Sequence, residues 1–171
     1  MVKYNEMDIE ALRAAVVYNA ETGKIQHAIN GSPCLARPDN KGHLSGKVAG
    51  FHFKAHRVAW ALHYGQWPSG DIDHINGNPA DNRACNLRLA TNQQNQFNTK
   101  GRAGSSQFKG VSWKAADRKW QVRIAIDGKM KHVGYFREEE EAARAYDKHA
   151  SLHHGQFARL NFVCSENSNA A

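Results

Sequence analysis

The sequence predicts an α+β protein of two modules, the second a small three-stranded antiparallel sheet packed on one helix. Three observations carry this. The 171 residues suffice for two minimal modules but not for a large multi-step enzyme. Apolar residues switch from helical spacing to strict alternation along the chain. The positive charge is concentrated in one stretch: residues 1–99 carry 10 basic and 8 acidic side chains, residues 100–137 carry 10 and 2, and residues 138–171 carry 3 and 6. That places +8 within 38 residues, the footprint of a surface made for a polyanion.

Composition excludes several classes. Hydrophobic residues at 41% and charged residues at 23% are ordinary for a folded domain. No apolar run approaches the ~20 residues of a membrane helix, and the opening MVKYNEMDIE has no signal-peptide core. No membrane partner is expected, and the protein is read as intracellular and not secreted. Cys34, Cys85 and Cys164 are distant from one another and form no CxxC pair, so they read as reduced thiols. His52/His56 and His149/His153 have i,i+4 spacing but no third ligand nearby, and read as surface or partly buried histidines.

Taken in order, residues 8–18 predict a short amphipathic helix with Asp8 as N-cap. After a turn at 21–24, residues 24–54 carry Gly at 31, 42, 46 and 50 between short segments, which suits small antiparallel hairpins. Residues 56–64 return to a helix, stopped by Gly65 and Pro68.

The stretch 71–98, DIDHINGNPADNRACNLRLATNQQNQFN, holds the chemistry. It predicts a strand ending at Asp73-His74, a polar loop, a returning strand over 87–90, and a helix opened by the capping pair Thr91 and Gln94 with Asn95 near its first turn. A carboxylate, Asp73, and an amide oxygen, Asn95, are hard donors suited to Mg²⁺ or Mn²⁺. His74 is placed to act as general base for water, and Asn86 to hydrogen-bond its other ring nitrogen. Such a set supports phosphodiester hydrolysis. Asn76, Asn78, Asp81 and Asn82 are read as knitting the loop with their own hydrogen bonds.

These residues resemble a known family. HR-VAW (56–60), DHINGNPADNR (73–83), NLR (86–88) and AT-x-x-x-N-x-x-N (90–98) are similar to the HNH endonucleases of the ββα-metal fold, in the subfamily of phage and intron homing nucleases, over residues 20–100. The resemblance implies Asp73 and Asn95 as metal ligands, His74 as general base and Asn86 as the residue that orients it. The family's final His is here an Asn, a substitution common in this subfamily. His56 belongs to the pattern, with a structural hydrogen bond favoured over catalysis.

Residues 99–107 (TKGRAGSSQ) have the composition of a flexible linker. Beyond it FKGVSWK, RKWQVRIAID and KHVGYF predict three strands, with turns at 115–117 and 127–128. Trp120, Val122, Ile124 and Ile126 share one face, Gln121, Arg123 and Ala125 the other. REEEEAARAYDKHASLHHG is a helix whose acidic start suits its dipole and whose stripe of Ala142, Ala143, Tyr146 and Ala150 packs on the Trp120 face. Phe108, Phe136, Leu160 and Phe162 read as core. Lys109, Lys114, Arg123, Lys129 and Lys131 are expected on the open face.

FKGVSW, W-x-VRI, GK-x-x-x-VGYF, EEEAARAYDKHA and ARLNF resemble the DNA-binding domain of APETALA and ethylene-response factors over residues 106–163. Carried over by position, the resemblance implies contacts to double-stranded DNA from Lys109, Ser112, Lys114, Arg123, Lys131 and His132, with Trp113 as core or contact. Positions that hold Arg in plant members are here Lys109, Ser112, Lys114 and His132, so sequence preference is not inherited. The expected organisation is a nuclease domain over 1–98, a linker over 99–107, a DNA-binding domain over 108–163 and a tail over 164–171. The expected function is metal-dependent DNA cleavage of homing type, by a nick from a monomer or a double-strand break from a dimer. The alternatives are a non-catalytic DNA-binding regulator on a nuclease-like platform and a nuclease acting on RNA.

Overall fold

The computed structural model describes residues 7–101 and 104–162; the expected tail at 164–171 and Cys164 lie outside them. The chain divides into two compact units, Met1–Asn92 and Gln93–Ala171.

The first unit opens with α1 (Ile9–Ala15), whose Asp8 carboxylate accepts the backbone N–H groups of Glu10 and Ala11 at 3.0 and 3.1 Å. The helix is shorter than expected. Val16, Val17 and Tyr18 are all strand formers, and they leave it as β1 (Val16–Tyr18), paired antiparallel with β2 (Ile25–His27). Next comes a three-stranded antiparallel sheet of β3 (Arg37–Pro38), β4 (Leu44–Val48) and β5 (Phe51–Lys54), with β4 in the middle. Helix α2 (Ala55–Tyr64) follows directly and stops at Gly65, whose φ of 71° is the left-handed cap. Leu12, Val16, Val48 and Val58, each at most 2% exposed, centre the core against α2. Each such aliphatic side chain contributes roughly 1.5–3 kcal/mol of burial. On this base sits a two-stranded antiparallel ladder, β6 (Asp71–His74) with β7 (Leu87–Ala90), which runs on in sequence into α3 (Asn92–Phe97) as the expected strand–strand–helix succession.

The second unit holds β8 (Val111–Lys114), β9 (Lys119–Ile126) and β10 (Lys129–Phe136), antiparallel with β9 central, and α4 (Glu139–His154). Asp127 and Gly128, with φ of 51° and 73°, form the tight turn that the Asp-Gly pair predicts. Val122, Ile124, Ala142, Ala143, Tyr146 and Ala150 are the buried centre, as the alternation expects. Gly110 is required here: a Cβ at that position would stand 2.0 Å from the Tyr146 ring.

The division of the chain falls ahead of the segment expected to be a linker. Within the second unit the Phe97 ring lies flat on His154 at 3.7 Å, and Arg159 N–H donates to the Phe97 carbonyl at 3.3 Å. Ser105 Oγ accepts the Trp113 N–H at 2.7 Å, and Ser106 Oγ donates to Glu139 at the same distance.

Candidate active site and open sheet face

Asp73 and His74 end β6, where the ladder register sets Asp73 opposite Arg88 and His74 opposite Leu87. Both are buried, at 7% and 5% exposure. Arg88 places Nε and Nη2 on one Asp73 oxygen, Oδ2, at 2.8 and 2.6 Å. Arg88 carries no functional mark in the sequence beyond its place opposite Asp73 in an antiparallel pairing of 71–74 with 87–90.

The His74 ring departs from expectation. Its Nε2 meets Oδ1 of Asn82 at 3.1 Å, while Asn86 is engaged elsewhere: its Oδ1 accepts the Asn76 N–H at 2.9 Å and its Nδ2 donates to the Asp81 carbonyl at 2.7 Å. Asn86 therefore pins the two ends of the polar loop, and Asn82, read from sequence as a loop-knitting residue, is the one that meets the imidazole. Asn86 sits in a short 3-10 turn, Ala84–Asn86, that aims its amide back into the loop. Asn76, Asn78 and Asp81 do knit the loop, with Asn76 Nδ2 on Asp81 Oδ2 at 2.7 Å and Asn78 N–H on Asn76 Oδ1 at 2.8 Å.

Three imidazoles gather here. The His43, His56 and His74 rings are 5.2, 5.3 and 5.8 Å apart, tilted or edge-on, and among the described residues no trio of His, Cys, Asp or Glu is arranged to hold a metal ion. Burial pushes the His74 pKa down, helped by His43 and opposed by the hydrogen bond to Asn82 and the charge of Asp73. His56 is pushed down to about 3, first by burial and then by His74 and His43. The structural hydrogen bond expected of His56 is not made at Nδ1, which is buried without a partner among the described residues.

Asn95 lies half-buried on α3, in the second unit.

The residues expected to touch DNA separate into three groups. Ser112, Lys114, Arg123 and His132 share the open face of the sheet, because Ser112 pairs with Gln121 and His132 with Arg123. Lys131 pairs with the buried Ile124, and Trp113 with Trp120, so both point to the α4 side of the sheet, although both are exposed, Trp113 at 41%. The two-residue turn fixes that register, and the irregularity in β10 comes only after His132. Lys109 is not presented either: its ammonium donates to the carbonyls of Phe97 and Thr99 at 2.5 and 2.8 Å, and burial lowers its pKa to about 8. The open face also carries Tyr135, unmarked in the sequence. Its hydroxyl accepts from Lys114 Nζ at 3.0 Å, and its ring stands 4.5 Å from that of His132.

A family model for HNH endonuclease matches residues 53–97. Protein 3.8 of Escherichia phage T7 is 35% identical over 109 residues, covering 63% of this chain and 89% of that protein. An uncharacterized HNH endonuclease, L560, of Acanthamoeba polyphaga mimivirus is 37% identical over 92 residues, 54% of this chain and 47% of the viral protein. The AP2-like ethylene-responsive transcription factor TOE2 of Arabidopsis thaliana is 37% identical over 65 residues, 38% of this chain and 13% of the plant protein. Among the described residues no helix is long and apolar enough to cross a membrane.

Proposed function

Because the chain belongs to the HNH endonuclease family, we propose that it hydrolyses phosphodiester bonds of double-stranded DNA, as a homing-type enzyme placed on its target by the open sheet face of the second unit. The observation that carries the chemical half is the buried Asp73-His74 pair at the end of β6. A neutral imidazole is needed to take a proton from water, and the downward push on His74 keeps it neutral at physiological pH. His74 is the general base.

Asp73 is the proposed ligand of a divalent cation. Its carboxylate fits a hard ion that completes its shell with waters and phosphate oxygens. When bound, Mg²⁺ or Mn²⁺ supplies Lewis-acid stabilisation of charge on the phosphate and the leaving oxygen. Arg88 holds the Asp73 carboxylate in place from across the ladder, and Asn86 keeps the loop between the strands closed.

The DNA-binding reading, for a domain over 108–163, is supported by the open face with Ser112, Lys114, Arg123, His132 and Tyr135, and by the +8 of residues 100–137. The likeness to the plant transcription factor supports it too. The acidic start of α4, Glu139–Glu141, lies on the helix that covers the other face, where it does not oppose phosphates.

The test is incubation of purified protein with supercoiled plasmid and Mg²⁺ beside an EDTA control. Relaxed or linear plasmid in the Mg²⁺ arm alone is expected; plasmid unchanged in Mg²⁺ and in Mn²⁺ overturns the proposal.

A further inference from the structure

We propose that Asn82 is the positioning residue of His74, and that the N-terminal hairpin β1–β2 is the brace that aims it. The inference rests on the reading of His74 as general base.

Asn82 is 1% exposed, and both ends of its amide are engaged. Nδ2 donates to the Ala80 carbonyl at 3.4 Å, which turns Oδ1 toward His74 Nε2 at 3.1 Å. An amide oxygen only accepts, so Nε2 must carry the ring hydrogen. The neutral ring is thereby fixed as the tautomer whose Nδ1 holds the lone pair, and Nδ1 is the nitrogen that takes the proton from water. A ring free to exchange tautomers would spend part of its time with Nδ1 already protonated.

What holds Asn82 is outside the family-matched segment at 53–97. The Tyr18 hydroxyl donates to the Asn82 carbonyl at 2.8 Å, and burial raises the Tyr18 pKa to about 12, keeping that donor protonated. Two residues on, Ala84 N–H donates to the Ala20 carbonyl at 2.9 Å. Gly23, at φ 73°, lies so close that a Cβ would stand 2.6 Å from Arg83 N and 2.7 Å from the Asn82 carbonyl carbon. Backbone against backbone leaves no flexible side chain to give way. The turn of the hairpin thus contacts three successive residues, Asn82 to Ala84, and the loop that carries the Asn82 amide cannot shift without it.

The experiment reads the His74 tautomer directly, by long-range ¹H–¹⁵N correlation of histidine-labelled, metal-free full-length protein, with the His74 signals assigned by their loss in His74→Ala. The expected result is a single Nε2–H tautomer in the wild type, a mixture in Asn82→Leu, and retention of Nε2–H in Asn82→Asp, which keeps an acceptor oxygen. In cleavage assays Asn82→Leu should lower kcat ~10–100-fold at unchanged KM, the usual scale for losing an orienting partner. Asn82→Asp should recover most of that loss, and Tyr18→Phe should fall between Asn82→Leu and the wild type. An Nδ1–H ring in the wild type overturns the inference without any variant having to fold. So does an Asn82→Leu protein with wild-type tautomer and kcat. If His74→Ala cleaves like the wild type, the assignment of the base fails instead, whatever the tautomer shows.

Discussion

Arg88 stands across the β6–β7 ladder from Asp73 and sets two N–H groups on a single carboxylate oxygen, at 2.8 and 2.6 Å. The pair is largely out of water, with side chains 14% and 8% exposed. A charge stripped of its partner in such a place costs far more than the pair itself is worth. Arg88→Leu should lower unfolding free energy by roughly 2–4 kcal/mol, measured by urea denaturation, whereas adding Asp73→Asn to it should recover part of that loss. Strictly additive effects of the two changes would contradict the coupling.

The histidine cluster predicts acid sensitivity. The folded pKa of His56, about 3, lies below its ordinary 6.5, so the unfolded chain binds the extra proton first. The stability at stake is fully present above pH 6.5 and is lost as pH falls toward 3. Its size is about 2–4 kcal/mol after allowance for the partial exposure of the ring. His43 and His74, which face His56 and are also pushed down, act in the same direction. His56→Gln should flatten the fall in stability between pH 6.5 and 4, followed by urea midpoint; an unchanged slope would contradict the shift.

The two faces of the second sheet predict different salt behaviour. Arg123→Glu should reduce the slope of log affinity against log salt by about one or more, since each phosphate neutralised contributes close to one. Lys131→Glu, on the α4 side of the sheet, should change it less. Lys109→Ala should leave the slope alone and instead lower the stability of the second unit, because it removes the cation that holds the Phe97 and Thr99 carbonyls. A slope lowered more by Lys131→Glu than by Arg123→Glu would reverse the assignment of faces.

Gly110→Ala should be among the most damaging single changes in the second unit, by about 3 kcal/mol or more, because its methyl would fall 2.0 Å from the Tyr146 ring at a φ of 77°. Gly128→Ala has open space and meets only the φ penalty, about 1 kcal/mol. Thermal unfolding of the two variants should rank them in that order.

Much of this was legible in the sequence. The strand pair around Asp73-His74, the turn at Asp127-Gly128 and the alternation through Trp120 follow from local spacing, and the structure keeps all three. The side of the sheet that Lys131 takes was legible too, once the turn is allowed to set the register from Ile126 opposite Lys129 onward. What local spacing could not give is contact between distant segments. Lys109 looks like any basic strand residue until Phe97 and Thr99 are brought to it. The choice between Asn82 and Asn86 as partner of His74 depends on a short 3-10 turn and on a hairpin about sixty residues earlier. Val16–Tyr18 continues a helical apolar pattern, and only pairing with β2 turns it into a strand.

The central claim is that His74 performs proton transfer for a DNA-cutting reaction. The direct measurement is the single-turnover cleavage rate of wild type and His74→Ala on the same duplex in Mg²⁺, with DNA affinity determined in parallel without metal. A loss of ~10²–10⁴-fold or more in rate with affinity nearly unchanged is predicted, since removing a general base removes no phosphate contact. Equal cleavage rates in the two proteins would contradict it.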